Sequence, residues 1–240
     1  MGLQRALRLI YPPQCLGCGT RVEEAHALCP TCWRDAGFIS GLVCDSCGVP
    51  LPGVDDGTPA ICDDCLRIAR PWQRGRAAML YEGVARRLVL GLKHGDRLDL
   101  ARAGGRWLAR AASPILLPRM LVAPVPLHWT RLLARRYNQS AVLALALARE
   151  TGLECCPDLL VRRRRTPTQE GRDLESRFRN LDTALALHPR RRAQVADRPI
   201  LLVDDVMTSS ATLAAAAEAC LVGGASTVHV AVLARVAKQG

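Results

Sequence analysis

Beyond residue 76 the hydrophobic positions follow two alternating periods. Short apolar runs of strand length fall at 77–81, 120–125, 159–162, 200–203 and 227–233. Between them lie helical spacings at 84–93, 98–112, 141–150 and 211–222, with further helical residues near 172–180. Strands alternating with helices predict an α/β fold, a mostly parallel sheet with helices on both faces. Ligands of such sheets gather at the carboxyl ends of the strands. The run Ile200-Leu201-Leu202-Val203 is continuously apolar, as expected of a strand buried on both faces. The Ala-rich helix after it stops at Gly223-Gly224, a C-terminal signal.

The first 72 residues show no such period. Pro71 and the polar residues 73–76 close this head, so two regions are expected, 1–72 and 73–240. The head carries Cys15-x2-Cys18 and Cys29-x2-Cys32, then Cys44-x2-Cys47 and Cys62-x2-Cys65. Each CxxC turns two thiolates toward one ion, and two such knuckles complete a tetrahedral shell. Two structural zinc sites are expected, each contributing on the order of 10 kcal/mol of folding free energy to a head too poor in apolar residues to build a large core. Sequential pairing is favoured over interleaved pairing, and an iron–sulfur cluster stays open on spacing alone. A secreted disulfide framework fits poorly, since the chain has 11 cysteines, an odd number. Cys155, Cys156 and Cys220 read as small hydrophobes.

Charge divides the chain in the same way. The net charge is +11, yet residues 1–75 hold 7 Arg against 8 acids, whereas residues 76–240 hold 26 Lys or Arg against 14 acids. An anionic ligand therefore belongs to the C-terminal part, and charge alone does not separate a nucleic acid from a small polyphosphate. No run is long enough to span a membrane, and Pro12-Pro13 interrupt the start too early for a signal peptide. A cytoplasmic protein without membrane insertion is expected.

The most informative segment follows the buried run at 200–203. Asp204 and Asp205 come first, then Thr208, Ser209, Ser210, Ala211 and Thr212 at the start of a helix. A helix start presents free N–H groups and a positive dipole end, both favourable to phosphate. Two acids beside a phosphate cradle repel it unless a sugar stands between them. A ribose does so, its vicinal hydroxyls donating to the carboxylates while its 5-phosphate rests on the loop. The plainer reading makes Asp204 and Asp205 the start of a turn and Ser209 or Ser210 a helix cap. The ordered series of buried strand, two acids, hydroxyl loop and helix favours ribose phosphate.

This segment resembles the phosphoribosyl diphosphate motif of type I phosphoribosyltransferases. The whole chain resembles the ComF family, a double zinc ribbon followed by a phosphoribosyltransferase domain. Further matches are Leu92-Lys93-His94-Gly95, Pro124-Val125-Pro126-Leu127, Arg135-Arg136-Tyr137-Asn138-Gln139 and Arg165-Thr166-Pro167-Thr168-Gln169, with Arg177 and Asn180. The resemblance implies that Asp204 and Asp205 hold the ribose diol and that residues 208–212 hold the 5-phosphate. Lys93, Arg131, Arg135 and Arg136 are the candidates for the diphosphate, which magnesium would bridge to ribose oxygens.

By the same resemblance the chain is a phosphoribosyltransferase-like protein of DNA uptake and natural transformation. The alternative is a non-catalytic module for single-stranded DNA or for a partner such as a DNA-uptake helicase. The arginine runs at 162–165 and 190–192 could track a DNA backbone or stand as solvated ends. Two positions depart from the family pattern, Ser210 and Arg136, where members usually carry Gly. A left-handed backbone at Ser210 would cost roughly 1–2 kcal/mol more than at Gly.

Overall fold

The computed structural model describes residues 11–94, 97–127, 137–162 and 185–237. In each half of the head the second CxxC runs into a short helix, α1 (Pro30–Arg34) and α2 (Asp63–Arg67). Cys29 and Cys62 are the N-caps, and the Cys29 sulfur accepts the Cys32 N–H. The remainder runs β1 (Arg74–Leu80), α3 (Gly83–His94), α4 (Asp99–Ala112), β2 (Leu121–Pro124), α5 (Gln139–Thr151), β3 (Glu154–Cys155), β4 (Leu160–Arg162), β5 (Leu185–Leu187), α6 (Arg192–Val195), β6 (Pro199–Met207), α7 (Ala211–Val222) and β7 (Thr227–Arg235).

The expected parallel sheet is present. Its order is β1-β7-β6-β2-β3, and every pairing in it is parallel. β6 is flanked on both sides, with Val203 opposite Ala231 of β7 and Pro124 of β2. Its side chains alternate between two cores. Leu201 and Val203 join α3, α4 and α5, whereas Ile200 and Leu202 join α7 and the paired strands β4 and β5. The apolar run at 200–203 thus serves two faces at once, which is why it shows no alternation.

Two differences from the sequence pattern matter. β6 does not stop at Val203; β7 continues to pair with it as far as Met207, so both acids lie inside the strand. The strand at 160–162 does not extend the parallel alternation. It pairs antiparallel with β5 in a separate two-stranded sheet, because three residues carry too little pattern to show their partner. The helical residues expected near 172–180 lie outside the described residues. No helix among the described residues is long and apolar enough to cross a membrane.

The head covers the outer edge of β1. Ile39 N–H donates to the Ala78 carbonyl at 3.0 Å, Leu80 N–H to Gly37 at 2.9 Å and Gly75 N–H to Asp45 at 2.8 Å. An edge strand that would otherwise offer unpaired backbone groups is closed in this way. The approach demands glycine. A Cβ on Gly48, at φ +70°, would come 2.6 Å from the Ala77 nitrogen, and one on Gly75 would collide with the Ser46 carbonyl. Asp45 then accepts from Arg74 and Arg76, with Nη2 of each 2.8 Å from Oδ1. Burial opposes ionisation of Asp45, yet these hydrogen bonds hold its carboxyl below the usual carboxylate range.

Candidate functional site

The eight head cysteines form two clusters with sequential pairing. Cys15, Cys18, Cys29 and Cys32 bring their sulfurs within 4.8 Å of one another, as do Cys44, Cys47, Cys62 and Cys65. The Cys18–Cys29 and Cys47–Cys62 sulfurs are 3.7 Å apart. A tetrahedron with metal–sulfur bonds of about 2.3 Å has edges of about 3.8 Å, so each cluster fits one zinc ion. Disulfide sulfurs lie at about 2.05 Å, and all 11 cysteines are free. A multi-iron cluster, whose thiolates bind different irons, does not fit between sulfurs this close. Backbone N–H groups support the thiolate charge: Gly17 and Cys29 donate to the Cys15 sulfur and Cys62 to that of Cys44. With four protein ligands each, such sites are structural.

The second site lies at the carboxyl end of β6. Asp205 is 7% exposed, and its Oδ1 stands 3.2 Å from Lys93 Nζ on α3. Asp204 is half-buried and differently held. Its Oδ1 accepts the Ser140 hydroxyl at 2.7 Å and the Asp205 N–H at 2.9 Å. Burial, and after it the neighbouring Asp205 carboxylate, push Asp204 up to about 7. The two acids are adjacent in sequence but inequivalent, one paired with a cation and the other bound to neutral donors.

After Met207 the chain passes Thr208, Ser209 and Ser210 into α7. Ser210 is the N-cap at φ +68° and ψ 0°, the left-handed backbone on which the comparison with Gly depends. It makes no side-chain cap, is 4% exposed, and its hydroxyl has no hydrogen-bond partner among the described residues. Among the described residues the backbone amides of Thr208, Ser209, Ser210, Ala211 and Thr212 meet no backbone acceptor. Orphan amides at the positive end of a 12-residue helix have the chemistry to hold an anion.

The structure therefore brings together Asp204, Asp205, Lys93 and the loop at 208–212. Arg131, Arg135 and Arg136 lie outside the described residues, as do Arg177, Asn180 and the match at 165–169. In the run at 190–192, Arg191 is paired with Asp158 at 2.9 Å. Sequence reading missed Ser140. Asn138 caps α5 by accepting the Ser140 N–H and donates to the Val125 carbonyl at 3.0 Å, which sets the start of α5 beside β6. Asn138 stands visibly before a helical run; the reach of Ser140 to Asp204, 64 residues away, is not visible in the sequence. Tyr137 ties the same corner to α3 through its hydroxyl, 2.5 Å from the Leu92 carbonyl.

Similar proteins divide along the same lines. The family model described as a double zinc ribbon domain matches residues 6–66, and that described as a phosphoribosyl transferase domain matches residues 138–240. The DNA utilization protein YhgH of Escherichia coli O157:H7 is 32% identical over 234 residues, covering 95% of this chain and 99% of the relative. Its counterpart in Salmonella typhi is 33% identical over 235 residues with the same coverage. Competence protein F of Haemophilus influenzae is 27% identical over 207 residues, 83% of this chain and 87% of the relative. Among solved structures, an allosteric regulatory enzyme of purine biosynthesis aligns with a TM-score of 0.40 and 18% identity, over 60% of this chain and 30% of that one. The protein TT1426 from Thermus thermophilus aligns with a TM-score of 0.35 and 20% identity, over 58% of this chain and 85% of that one.

Proposed function

The chain belongs to the ComF family, and from that membership we propose that it is a phosphoribosyltransferase-like protein of DNA uptake and utilisation that binds phosphoribosyl diphosphate with magnesium. A cytoplasmic setting keeps its 11 cysteines, eight of them zinc ligands, out of disulfides. One observation carries the reading. Two acids at the end of a central strand lead into an uncapped loop whose amides meet no backbone acceptor among the described residues. Asp204 and Asp205 accept the ribose hydroxyls, and Thr208, Ser209, Ser210, Ala211 and Thr212 receive the 5-phosphate. Lys93 takes the diphosphate together with Arg131, Arg135 and Arg136.

Departure of diphosphate from the anomeric carbon builds positive charge on the ribose ring, as in glycoside hydrolysis. Asp204 and Asp205 stabilise that charge through the hydroxyls they hold, and Lys93 stabilises the leaving group. An acceptor nucleophile completes the transfer. Two carboxylates, each with one oxygen already engaged, suit an ion that keeps most of its waters and binds mainly to ligand phosphates. Bound magnesium supplies neutralising charge on the diphosphate.

The test is calorimetry of phosphoribosyl diphosphate with magnesium, joined to a screen of nucleobases, amines and oligonucleotides for diphosphate release. Asp205→Asn should weaken binding about 10-fold or more, the value of a lost charged hydrogen bond. Unchanged affinity in that variant overturns the reading.

A second reading, a non-catalytic module for single-stranded DNA or a partner protein, is favoured by a different feature. A cleft of about 860 Å³ between the head and α4 is lined by Trp33, Phe38 and Trp107 with Arg106 and Arg110. Aromatic rings beside arginines suit unstacked bases. DNA affinity there should fall steeply between low and physiological salt and be indifferent to Asp205→Asn.

A further inference from the structure

Arg235 is the last residue of β7, follows the apolar run 230–234, and is 5% exposed. Its Nη1 donates to the carbonyls of Met207 at 3.2 Å, Thr208 at 2.9 Å and Val236 at 2.8 Å. Its Nε is buried and has no acceptor among the described residues. Among the described residues these hydrogen bonds all go to carbonyls, and no carboxylate balances the charge. A buried, unpaired guanidinium is costly, so its place beneath one particular loop calls for an anion.

Peptide geometry says where. In a trans peptide the carbonyl of one residue and the N–H of the next point in opposite directions. Drawing the Met207 and Thr208 carbonyls down to Arg235 turns the Thr208 and Ser209 N–H groups to the other side of the loop. Those amides are among the ones that meet no backbone acceptor among the described residues. The β6–β7 register, which sets Met207 against Arg235, makes this arrangement a property of the sheet.

We propose that Arg235 is a positioning residue for a phosphate monoester dianion. It orients the amides of the loop after β6 toward the ligand and supplies, from behind, the charge that the ligand balances. The inference rests on the ribose-phosphate reading above but concerns a residue on another strand, outside the acid-and-loop motif. It also names the charge state preferred, a dianion over a monoanion of the same shape.

The experiment compares ribose 5-phosphate with ribose 5-sulfate on the zinc-loaded full chain. The wild type should prefer the phosphate. Arg235→Gln should lower that preference about 10-fold by weakening phosphate binding, whereas Arg235→Lys, which keeps the charge, should retain most of it. A merely structural role would weaken both ligands alike and leave the ratio unmoved, and that result overturns the proposal. Should Arg235→Gln fail to fold, amide resonances of the isotope-labelled wild type decide. Thr208 and Ser209 should shift on addition of ribose 5-phosphate, and their standing still overturns the proposal. If the wild type binds neither ribose 5-phosphate nor phosphoribosyl diphosphate, the ribose-phosphate reading itself falls. Binding with an unchanged ratio in Arg235→Gln sinks only the role of Arg235.

Discussion

The cysteine head and the corner after β6 both gather polar groups, and they complete them in opposite ways. In the head, four sulfurs surround each ion position and backbone amides point at the sulfurs, so the protein supplies every ligand itself. In the corner, the amides of the loop at 208–212 meet no backbone acceptor among the described residues, Ser210 makes no side-chain cap, and the acids are only partly satisfied. A region closed on its own ligands contributes to folding, whereas a region left open contributes to binding. The head also belongs to the core: Cys15, Cys29 and Cys32 pack with α3, α4 and α5, and Cys44, Cys47 and Cys65 pack with the other face of the sheet.

Removing metal should break this contrast most severely. Chelation of both ions should withdraw on the order of 10 kcal/mol per site, unfold the head and uncover the edge of β1. Zinc release followed by loss of monodisperse protein in light scattering is the expected course; a metal-free chain that stays folded and monomeric contradicts it. Within the head, Cys47→Ser should destabilise more than Cys18→Ser, since Cys47 is fully buried and Cys18 is exposed. Equal melting temperatures for the two variants would remove that distinction.

The corner should respond to pH instead. Asp204 titrates near 7 in the fold, above its value of about 3.9 in an unfolded chain. Between these values the unfolded chain ionises first, so this group lowers stability as pH rises from about 4 to 7. Asp204→Asn, whose carboxamide oxygen still accepts from Ser140 and the Asp205 N–H, should therefore gain melting temperature over the wild type at pH 8 and not at pH 4. A pH-independent difference would show that Asp204 is not the group responsible. For the same reason the affinity of the wild type for phosphoribosyl diphosphate should rise as pH passes through 7.

The smallest effect belongs to Ser210. Relieving a left-handed serine whose buried hydroxyl bonds to nothing should make Ser210→Gly more stable by about 1 kcal/mol and bring phosphate closer to the bare amides. Thermal denaturation and calorimetry check both parts, and a variant without gain in phosphate affinity removes the strain argument.

The sequence by itself determined what short-range pattern encodes. The CxxC spacings announced two four-sulfur clusters because a knuckle is local, the helices α3, α4 and α5 were legible because their periods run for three turns or more, and α7 was legible as an Ala-rich run that stops at Gly223-Gly224. The run Ile200-Leu201-Leu202-Val203 declared a doubly buried strand, and the acids after it declared a corner. Tertiary structure decided everything that depends on distant partners. Only the fold sets Lys93 against Asp205 and Ser140 against Asp204, pairs 160–162 with 185–187, and draws Arg235 under the Met207 and Thr208 carbonyls. Hydrophobic period records which side of an element is buried. It does not record which element lies opposite, and charge compensation is a matter of opposites.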